Sequence, residues 1–400
     1  MSSNQWTQKK LFLFSILVVG AVLLLIEGGF RIWFYMQTKG MQTSLAIQGS
    51  SLQMEDEKLI FRNRPFYLDF QQKFQHNEEG MRVAPGDVRM PVKTEQDYWV
   101  FLFGASAMEG MGSNKDGEWM DITGQADYPW NETIAYYLQT YLQEMLPGKK
   151  VRVFNAANTS YTIEQSLERY KELSATYQMD FVISMDGQNE PPVLGANETA
   201  FDFLRKDWSH RPTGKFPLSW IIPLTRHSAF AYQIKQQAYH RKARQRASRN
   251  ESEGFPRKQF WLQQPAGRLQ TTTADDSTQR AIKAYVESLQ QFRRLLLEKK
   301  QKGLLILQPH LIFRHMEKAD ATEKALWNYY CSAYNHPRTN TFLQMQRAAW
   351  AKEGFDNDSL LLNLSLYDSS STPVFTDYCH LTTEMNKAVA RQLAERIVGR

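Results

Sequence analysis

The sequence predicts an α/β protein: a doubly wound, mostly parallel sheet in three layers, preceded by a single N-terminal transmembrane helix. Short apolar runs of strand type alternate along the chain with longer stretches of helical periodicity, which is typical of parallel sheets covered by helices. Near the N-terminus, residues 11–26 contain no charged side chain, and this is typical of a membrane anchor.

Composition agrees with a folded chain of one large domain or two ordinary ones. The chain has 400 residues, of which 42% are hydrophobic, so it can bury a substantial core. Its two cysteines exclude a disulfide scaffold and a cysteine-based zinc ribbon. The formal net charge of +6 is a mild surplus that does not indicate a nucleic-acid-binding protein.

The N-terminal apolar run continues into a segment suited to a membrane surface. As a helix, residues 11–26 span roughly 24 Å, slightly less than the hydrocarbon core of a bilayer. The aromatic residues 33–35 suit the membrane–water boundary, and Glu27 and Arg31 can pair because they are four residues apart. A buried core helix is the alternative, but such a helix normally carries a polar stripe.

Flanking charges favour an N-terminus in the cytoplasm. Lys9 and Lys10 precede the apolar run, whereas Arg31 and Lys39 on the far side weaken the asymmetry. No small-residue cleavage pattern follows the run, so it is expected to remain as an uncleaved anchor. We therefore predict a single-pass inner-membrane protein that is anchored through residues 11–36, with its soluble part in the periplasm.

The remaining elements alternate between strand and helix patterns. Strands are expected at 98–103, 151–154, 180–184, 304–307 and 360–362. Helices are expected at 131–145, 162–177, 279–301, 341–352 and 382–398. Asn131 is the expected N-cap of the first of these helices, and Thr162 with Gln165 is the expected capping box of the second.

Polar residues follow the predicted strands, where doubly wound sheets bind their ligands. The first strand ends in Gly104-Ala105-Ser106, and the last helix follows an Asp377-x-x-His380 pattern. The second strand leads into the polar residues 155–162, and the third leads into residues 185–190. These blocks bring a serine, further serine and asparagine side chains, and an Asp-His pair to one edge of the sheet.

The four blocks, in this order, resemble the SGNH (GDSL-type) hydrolase family, whose fold is a flavodoxin-like three-layer sandwich. The resemblance implies that Ser106 is the nucleophile, that His380 is its general base, and that Asp377 orients the imidazole. It also implies an oxyanion hole made by the backbone N–H groups of Ser106 and Ser160 and by the side-chain amide of Asn189.

These observations divide the chain. The apolar run predicts a cytoplasmic tip and anchor at 1–36, the polar, proline-containing stretch predicts a lead-in at 37–97, and the resemblance implies an SGNH-like catalytic domain at 98–400. An insertion at about 191–275 matches no family block, because strand signals fade there.

Three positions depart from the family pattern. Ser160 replaces a glycine, which keeps the backbone donor but adds a Cβ that would reshape the acyl pocket. Ala105 replaces the aspartate of a Gly-Asp-Ser signature, a position outside the triad. Glu190 replaces an aspartate and retains the carboxylate. Met108 stands where a Gly-x-Ser-x-Gly elbow would need its second glycine, so that motif is excluded.

Other polar residues carry weaker alternatives. His310 and His315 suggest a metal site, but no third ligand stands at metal spacing, so we predict no metal and no cofactor. Cys331 and Cys379 are either a disulfide that braces the catalytic loop or two buried free thiols, and the sequence leaves both open.

The positive charge is concentrated in one segment. Residues 208–250 contain nine of the 48 Lys and Arg residues and no Asp or Glu, so the rest of the chain is slightly acidic. Part of this segment, 227–248, has the pattern of a basic amphipathic helix. It would bind anionic lipid or an acidic glycan, or it is a solvated charged helix. Nucleic acid is not an expected partner of a domain outside the cytoplasm.

Together with the resemblance, these features predict a membrane-anchored serine acyl-ester enzyme of a bacterial envelope. It would be an esterase or an O-acyltransferase that acts on acetyl esters of an envelope or secreted polysaccharide through an acyl-Ser106 intermediate. A transferase would need a membrane partner that delivers the acyl group. The alternatives are a non-catalytic scaffold or glycan-binding subunit of an export complex, and a lipid esterase at the membrane surface.

Overall fold

The structure of the 400-residue chain is a computed structural model. It describes residues 8–37, 53–65, 67, 75–112, 129–190, 228, 230, 234, 241, 265–333, 336–355 and 358–399. These residues fall into two compact units, Met1–Leu52 with Pro212–Lys242 and Gln53–Arg211 with Ala243–Arg400. The domain boundaries at residues 36 and 97 stay predictions.

The first unit contains the N-terminal helix α1, Gln8–Gln37. Within it, Lys10–Trp33 is 24 residues long, has a mean hydropathy of 2.6 and is not buried against the protein. By length and composition it can cross a membrane, as the sequence predicts. The pairing of Glu27 with Arg31 is confirmed, with an Nε–Oε1 distance of 2.7 Å.

Glu27 also receives hydrogen bonds from the predicted insertion. Its Oε2 accepts from the Ser228 hydroxyl at 2.7 Å and from the Phe230 backbone N–H at 3.2 Å. The rings of Phe30 and Phe230 lie 5.4 Å apart. Apart from positions 228, 230, 234 and 241, the basic segment 208–250 and its helix lie outside the described residues, and so do residues 191–227 and 251–264 of the insertion.

The second unit is built on a five-stranded parallel sheet. The strands of the unit are β1 Gln53–Asp56, β2 Ile60–Asn63, β3 Asp97–Gly104, β4 Lys150–Asn155, β5 Phe181–Asp186, β6 Gly303–Leu307 and β7 Leu361–Asn363. The parallel sheet has the order β4-β3-β5-β6-β7, while β1 and β2 form a separate antiparallel hairpin. This order reverses at β3, and it is the flavodoxin-like order. The predicted doubly wound parallel sheet is therefore confirmed.

Helices cover both faces of this sheet. They are α2 Ser106–Glu109, α3 Ile134–Met145, α4 Ile163–Thr176, α5 Asp276–Glu298, α6 Ala321–Ala333, α7 Pro337–Lys352 and α8 Thr383–Val398. Helix α3 packs against α8 and β4, whereas α4 packs against α5 and α5 packs against α7. Every residue of β5 and β6 is buried, as expected for strands covered on both faces.

The capping predictions have mixed outcomes. The capping box of Thr162 and Gln165 at the start of α4 is confirmed. Asn131 is wrong as the N-cap of α3, because it lies in a 3₁₀ turn, Trp130–Glu132, and the helix begins later. The N-cap is Thr133, whose hydroxyl accepts from the Tyr136 N–H at 3.3 Å. Helix α6 and the β1–β2 hairpin have no counterpart among the predicted elements.

Candidate active site

Ser106 lies at the sharp turn between β3 and α2. It is the first residue of α2 and follows β3 after the single residue Ala105. Gly104 has φ +130°, and a Cβ there would lie 2.3 Å from the Met185 carbonyl oxygen of the neighbouring strand. Only glycine fits this approach. The turn therefore places the serine at the carboxyl edge of the sheet.

The structure brings Ser106, His380 and Asp377 into one hydrogen-bonded chain. The Nε2 atom of His380 lies 2.8 Å from the Ser106 Oγ, and its Nδ1 lies 2.7 Å from the Asp377 Oδ2. The exposed fractions of the three residues are 8%, 5% and 0% in the order Ser106, His380, Asp377. A nucleophile, a base and an orienting carboxylate in this geometry are the requirements of a serine triad.

The triad loop, residues 373–382, folds around Asp377. The second carboxylate oxygen of Asp377 accepts the backbone N–H groups of Cys379 and His380, each at 2.8 Å. The Thr376 N–H donates to the His380 carbonyl at 3.0 Å, which closes the turn. The loop ends at Thr382, the N-cap of α8. One short segment therefore holds both the base and its orienting group.

The charge state of Asp377 fits its position. Burial acts to raise the pKa of this carboxyl, but His380 and the hydrogen bonds to the carboxylate outweigh burial, so the pKa is lowered. An ionised carboxylate only accepts hydrogen bonds, so the Nδ1 of His380 must carry a proton. The Nε2 is then free to accept the proton of the Ser106 hydroxyl.

A buried ion pair that sequence reasoning missed braces the triad loop. Arg314 and Glu323 are both fully buried, with an Nη2–Oε2 distance of 3.0 Å. The other carboxylate oxygen of Glu323 accepts the backbone N–H groups of Val374 at 2.8 Å and Phe375 at 3.1 Å. Glu323 lies in α6, which the sequence pattern did not reveal, so no local signal pointed to it.

Asn189 lies after β5 and directly precedes Glu190, a buried acid. Its Nδ2 donates to the Tyr161 carbonyl at 2.9 Å, which leaves one more amide N–H for another acceptor. The carboxyl of Glu190 accepts from the Ile163 N–H at the start of α4, at 3.0 Å. Burial raises the pKa of Glu190 to about 8.

Ser160 lies in a tight turn after β4, Asn158–Tyr161, which we name the oxyanion turn after the backbone donor that the resemblance implies at Ser160. The Tyr161 N–H donates to the Asn158 carbonyl at 3.1 Å, and Ser160 has φ +70°. A positive φ at the third residue alone defines a type II turn, where glycine is favoured. Among the described residues, the backbone N–H groups of Ser106 and Ser160 donate to no carbonyl or side chain.

The remaining candidates from the sequence are two histidines and two cysteines. His310 is buried, its Nδ1 accepts from the Ile312 N–H at 3.1 Å, and burial lowers its pKa to about 3. His315 is more than half exposed and pairs with Glu317 at 3.4 Å. Cys331 and Cys379 are both free and buried. The disulfide alternative is therefore not formed.

Asp377, Cys379 and His380 could also be grouped as metal ligands. Their potential ligand atoms lie within 4.8 Å of one another. In this grouping, however, the carboxylate and the imidazole already hydrogen-bond to each other as part of the triad. The hydrogen-bonded chain to Ser106 therefore accounts for this grouping.

The strand order, the serine after β3 and the Asp-x-x-His before α8 match the arrangement that the sequence resemblance to SGNH hydrolases implies. No protein-family model and no curated protein matches the chain.

Solved structures that match include an acetylxylan esterase from Geobacillus stearothermophilus, with 13% identity and a TM-score of 0.36, covering 76% of this chain and 96% of that one. An acetyl xylan esterase described as AlAXEase matches with 12% identity and a TM-score of 0.35, covering 74% and 98%. A lipolytic protein of the G-D-S-L family from Veillonella parvula matches with 10% identity and a TM-score of 0.34, covering 76% and 99%. The roles of individual residues therefore rest on this chain's own geometry.

Proposed function

We propose that this chain is a serine acyl-ester enzyme in which Ser106 forms a covalent acyl intermediate. The observation that carries the proposal is the chain of two short hydrogen bonds from Ser106 through His380 to Asp377. A binding module has no use for a nucleophile held against its own base, whereas ester cleavage needs both.

In the first half of the reaction, the Ser106 Oγ attacks the ester carbonyl carbon while its proton passes to the Nε2 of His380. Asp377 stabilises the resulting imidazolium. The negative charge that develops on the carbonyl oxygen is bound by the backbone N–H groups of Ser106 and Ser160 and by the second Nδ2 proton of Asn189. Collapse of the tetrahedral intermediate breaks the ester C–O bond, and His380 returns its proton to the departing alcohol.

In the second half, an acceptor hydroxyl attacks the acyl carbonyl carbon while its proton passes to His380. Collapse then breaks the bond to the Ser106 Oγ, which takes that proton back from His380. Water as the acceptor releases a carboxylic acid, and a sugar hydroxyl as the acceptor gives a new ester. The triad serves both acceptors equally, because both lose one proton to His380 and both attack the same carbonyl carbon.

We propose an acetyl ester of an envelope or secreted polysaccharide as the substrate, and we place the enzyme outside the cytoplasm. The resemblance of the sequence blocks and the apolar helix α1 support this assignment. With α1 as a single-pass anchor and the N-terminus inside, the triad faces the periplasm. In the transferase form, a membrane partner would supply the acyl group. The basic segment 208–250 would bind anionic lipid or an acidic glycan.

The test is turnover of p-nitrophenyl acetate by the full chain in detergent, compared with Ser106→Ala and His380→Ala. Loss of turnover in both variants, together with covalent labelling of Ser106 by a fluorophosphonate, is the expected result. Ser288→Ala, which removes a buried serine of α5, is the matched control and should keep wild-type turnover. Wild-type turnover no faster than that of Ser106→Ala would favour a non-catalytic scaffold instead.

Two further measurements assign the acceptor and the acyl group. Release of acetate from an O-acetylated polysaccharide defines an esterase, whereas transfer of labelled acetyl to an added oligosaccharide defines a transferase. Faster turnover of long-chain than of acetyl p-nitrophenyl esters would overturn the glycan assignment in favour of a lipid esterase.

A further inference from the structure

The oxyanion turn Asn158–Tyr161 is held by residues far away in the sequence. The peptide between Thr159 and Ser160 is the one that presents the Ser160 N–H. Its carbonyl oxygen, on Thr159, accepts a hydrogen bond from the Gln53 Nε2 at 2.8 Å. Because the C=O and N–H of a trans peptide point in opposite directions, fixing this carbonyl also fixes the direction of the Ser160 N–H.

Glu109 holds the other side of Thr159. One carboxylate oxygen, Oε2, accepts the Thr159 backbone N–H at 2.6 Å and the Thr159 hydroxyl at 2.5 Å. The other oxygen, Oε1, accepts the Asn63 Nδ2 at 2.6 Å. Glu109 is fully buried, so it does not touch a substrate. Its carboxylate instead satisfies three donors of the protein, two of which belong to the turn.

Glu109 is also part of the nucleophile helix. Helix α2 begins at Ser106 and ends at Glu109, so one turn of helix separates the nucleophile from the carboxylate that holds the oxyanion turn. The fully buried Arg82 binds the end of this helix, with its Nη1 2.7 Å from the Glu109 carbonyl and 2.9 Å from the Gly110 carbonyl. The spacing between the attacking oxygen and the Ser160 N–H is therefore set by a rigid, short element.

The β1–β2 hairpin supplies both amide side chains. Gln53 and Asn63 are directly opposite each other in the hairpin, so their side chains project from the same face. Asn63 bonds Glu109, while Gln53 bonds the Thr159 carbonyl and also the Asn158 side chain at 2.7 Å. The hairpin thus clamps the turn against α2.

We propose that Gln53 and Glu109 are positioning residues that preorganise the Thr159–Ser160 peptide, so that the Ser160 N–H is held as an oxyanion donor. The inference rests on the proposed serine chemistry and assigns this hydrogen-bond clamp a task within it. A donor that is already oriented costs no reorganisation as charge develops, and that is the source of oxyanion-hole catalysis. Neither residue touches the reacting atoms, so neither is itself catalytic.

The test compares Gln53→Met and Glu109→Gln with the wild-type full chain, using p-nitrophenyl acetate. Gln53→Met keeps the side-chain length and removes the donor. Glu109→Gln places an NH₂ group either against the two Thr159 donors or against the Asn63 amide. Gln143→Met is the matched control, because Gln143 also bonds backbone atoms, at Val151 and Lys149, at the opposite end of β4.

We expect kcat to fall about tenfold or more in Gln53→Met and by a smaller factor in Glu109→Gln, whose amide oxygen can still accept from Thr159. KM should stay within about twofold of wild type in both, because the oxyanion forms only in the transition state. The rate is expressed per Ser106 that a fluorophosphonate labels, so unfolded protein does not count. The pH at half-maximal kcat/KM should not move, because His380 and Asp377 are untouched.

Two results would overturn the inference in distinguishable ways. If the wild type shows Ser106-dependent turnover and Gln53→Met has a wild-type kcat per labelled serine, the positioning role is wrong and the serine chemistry stands. If the wild type shows no Ser106-dependent turnover, the proposed function fails and the positioning role fails with it. Gln53 is only partly buried, so we expect Gln53→Met to fold. This variant therefore decides the test even if Glu109→Gln does not fold.

Discussion

The triad loop and the oxyanion turn serve the same proposed reaction but are built in opposite ways. In the triad loop, Asp377 reaches His380 across three residues, and one carboxylate holds both the imidazole and the loop backbone. In the oxyanion turn, the bonds that fix Thr159 come from Glu109, 50 residues away, and from Gln53, 106 residues away. The Asp–His pair is therefore positioned within one loop, which Glu323 of α6 also braces, whereas the Thr159 peptide is positioned by residues distant in the sequence.

The two regions also treat their buried acids differently. The pKa of Asp377 is lowered, because hydrogen bonds and His380 outweigh its burial. Beside the oxyanion donors, burial outweighs the hydrogen bonds, so the pKa of Glu109 is raised and that of Glu190 rises to about 8. The fold therefore stabilises the ionised form of Asp377. It favours the protonated forms of Glu109 and Glu190 instead.

The largest expected effect on turnover is that of Asp377→Asn. The substitution removes the carboxylate that orients His380 but keeps the hydrogen bonds from the backbone N–H groups of the triad loop. The amide can still accept the loop N–H groups, but its NH₂ group faces the His380 Nδ1. His380 is then driven to carry its proton on Nε2, where it cannot accept from Ser106. We expect kcat to fall by ~10⁴-fold in the p-nitrophenyl acetate assay.

The control for this prediction is thermal unfolding: the midpoint of Asp377→Asn should lie below that of wild type, because the stabilising contribution of the ionised carboxylate is lost, yet above the assay temperature. A loss of less than tenfold in kcat would mean that the orienting carboxylate is not needed.

Asn189→Ala tests the oxyanion side directly. Removing one donor to the developing charge is expected to lower kcat by ~10²–10³-fold and to leave KM nearly unchanged. The matched control is Asn386→Ala, because the Asn386 amide also donates to a backbone carbonyl, that of Glu132, at 3.1 Å. Equal losses of kcat in both variants would show that the effect is structural.

Glu190→Gln tests the raised pKa of this buried acid through the pH dependence of the free energy of unfolding. The folded pKa of Glu190, about 8, lies above its ordinary value of 4.5. Its contribution to stability is therefore fully present below about pH 4.5 and is lost as the pH rises through about 8. The shift corresponds to on the order of a few kcal/mol.

Urea unfolding at pH 5 and pH 9 measures this difference. The wild type should lose stability toward pH 9, and Glu190→Gln should lose less. Asp186, whose pKa burial raises to about 6, leaves part of the slope in place. The lowered pKa of Asp377 acts in the opposite sense, since its contribution is present above pH 3.8 and is lost as the pH falls through the folded value. Identical slopes in the two proteins would contradict the assignment of Glu190.

The smallest expected effect is that of Ser160→Gly. Glycine keeps the backbone donor and accepts φ +70° without a Cβ penalty, so the variant should be more stable by roughly 1 kcal/mol. Turnover should stay within about threefold of wild type, because Gln53 and Glu109 still hold the peptide. Lys300→Gly is the matched control, since Lys300 is another non-glycine residue at positive φ, 51°. A less stable Ser160→Gly protein would contradict this account.

The same contrast explains how much the sequence could predict. The parallel sheet was predictable from runs of apolar residues, and the Asp377–His380 contact was implied by the family resemblance and allowed by a spacing of three residues. Glu109 lies three residues after Ser106. This spacing indicates that the two residues share one turn of helix only when α2 is known to be a single helical turn. Gln53 and Asn63 carried no signal, because their role depends on how a hairpin packs against a distant turn.

Helix α6 escaped prediction for a related reason. Its buried face is interrupted by Glu323, a charged residue that looks solvent-facing unless its partner Arg314 is known. The N-cap of α3 was misplaced by two residues, because Asn131 and Thr133 are both good caps and the 3₁₀ turn at Trp130–Glu132 decides between them.

The two buried thiols have a practical consequence for experiments on this protein. Burial raises the pKa of Cys331 to about 11 and that of Cys379 well above its usual value, so little thiolate exists near neutral pH. Maleimides should therefore spare both native cysteines while the protein is folded. A single cysteine introduced on an exposed site can then carry a fluorophore or a spin label, without a cysteine-free background and without disturbing the residue next to His380.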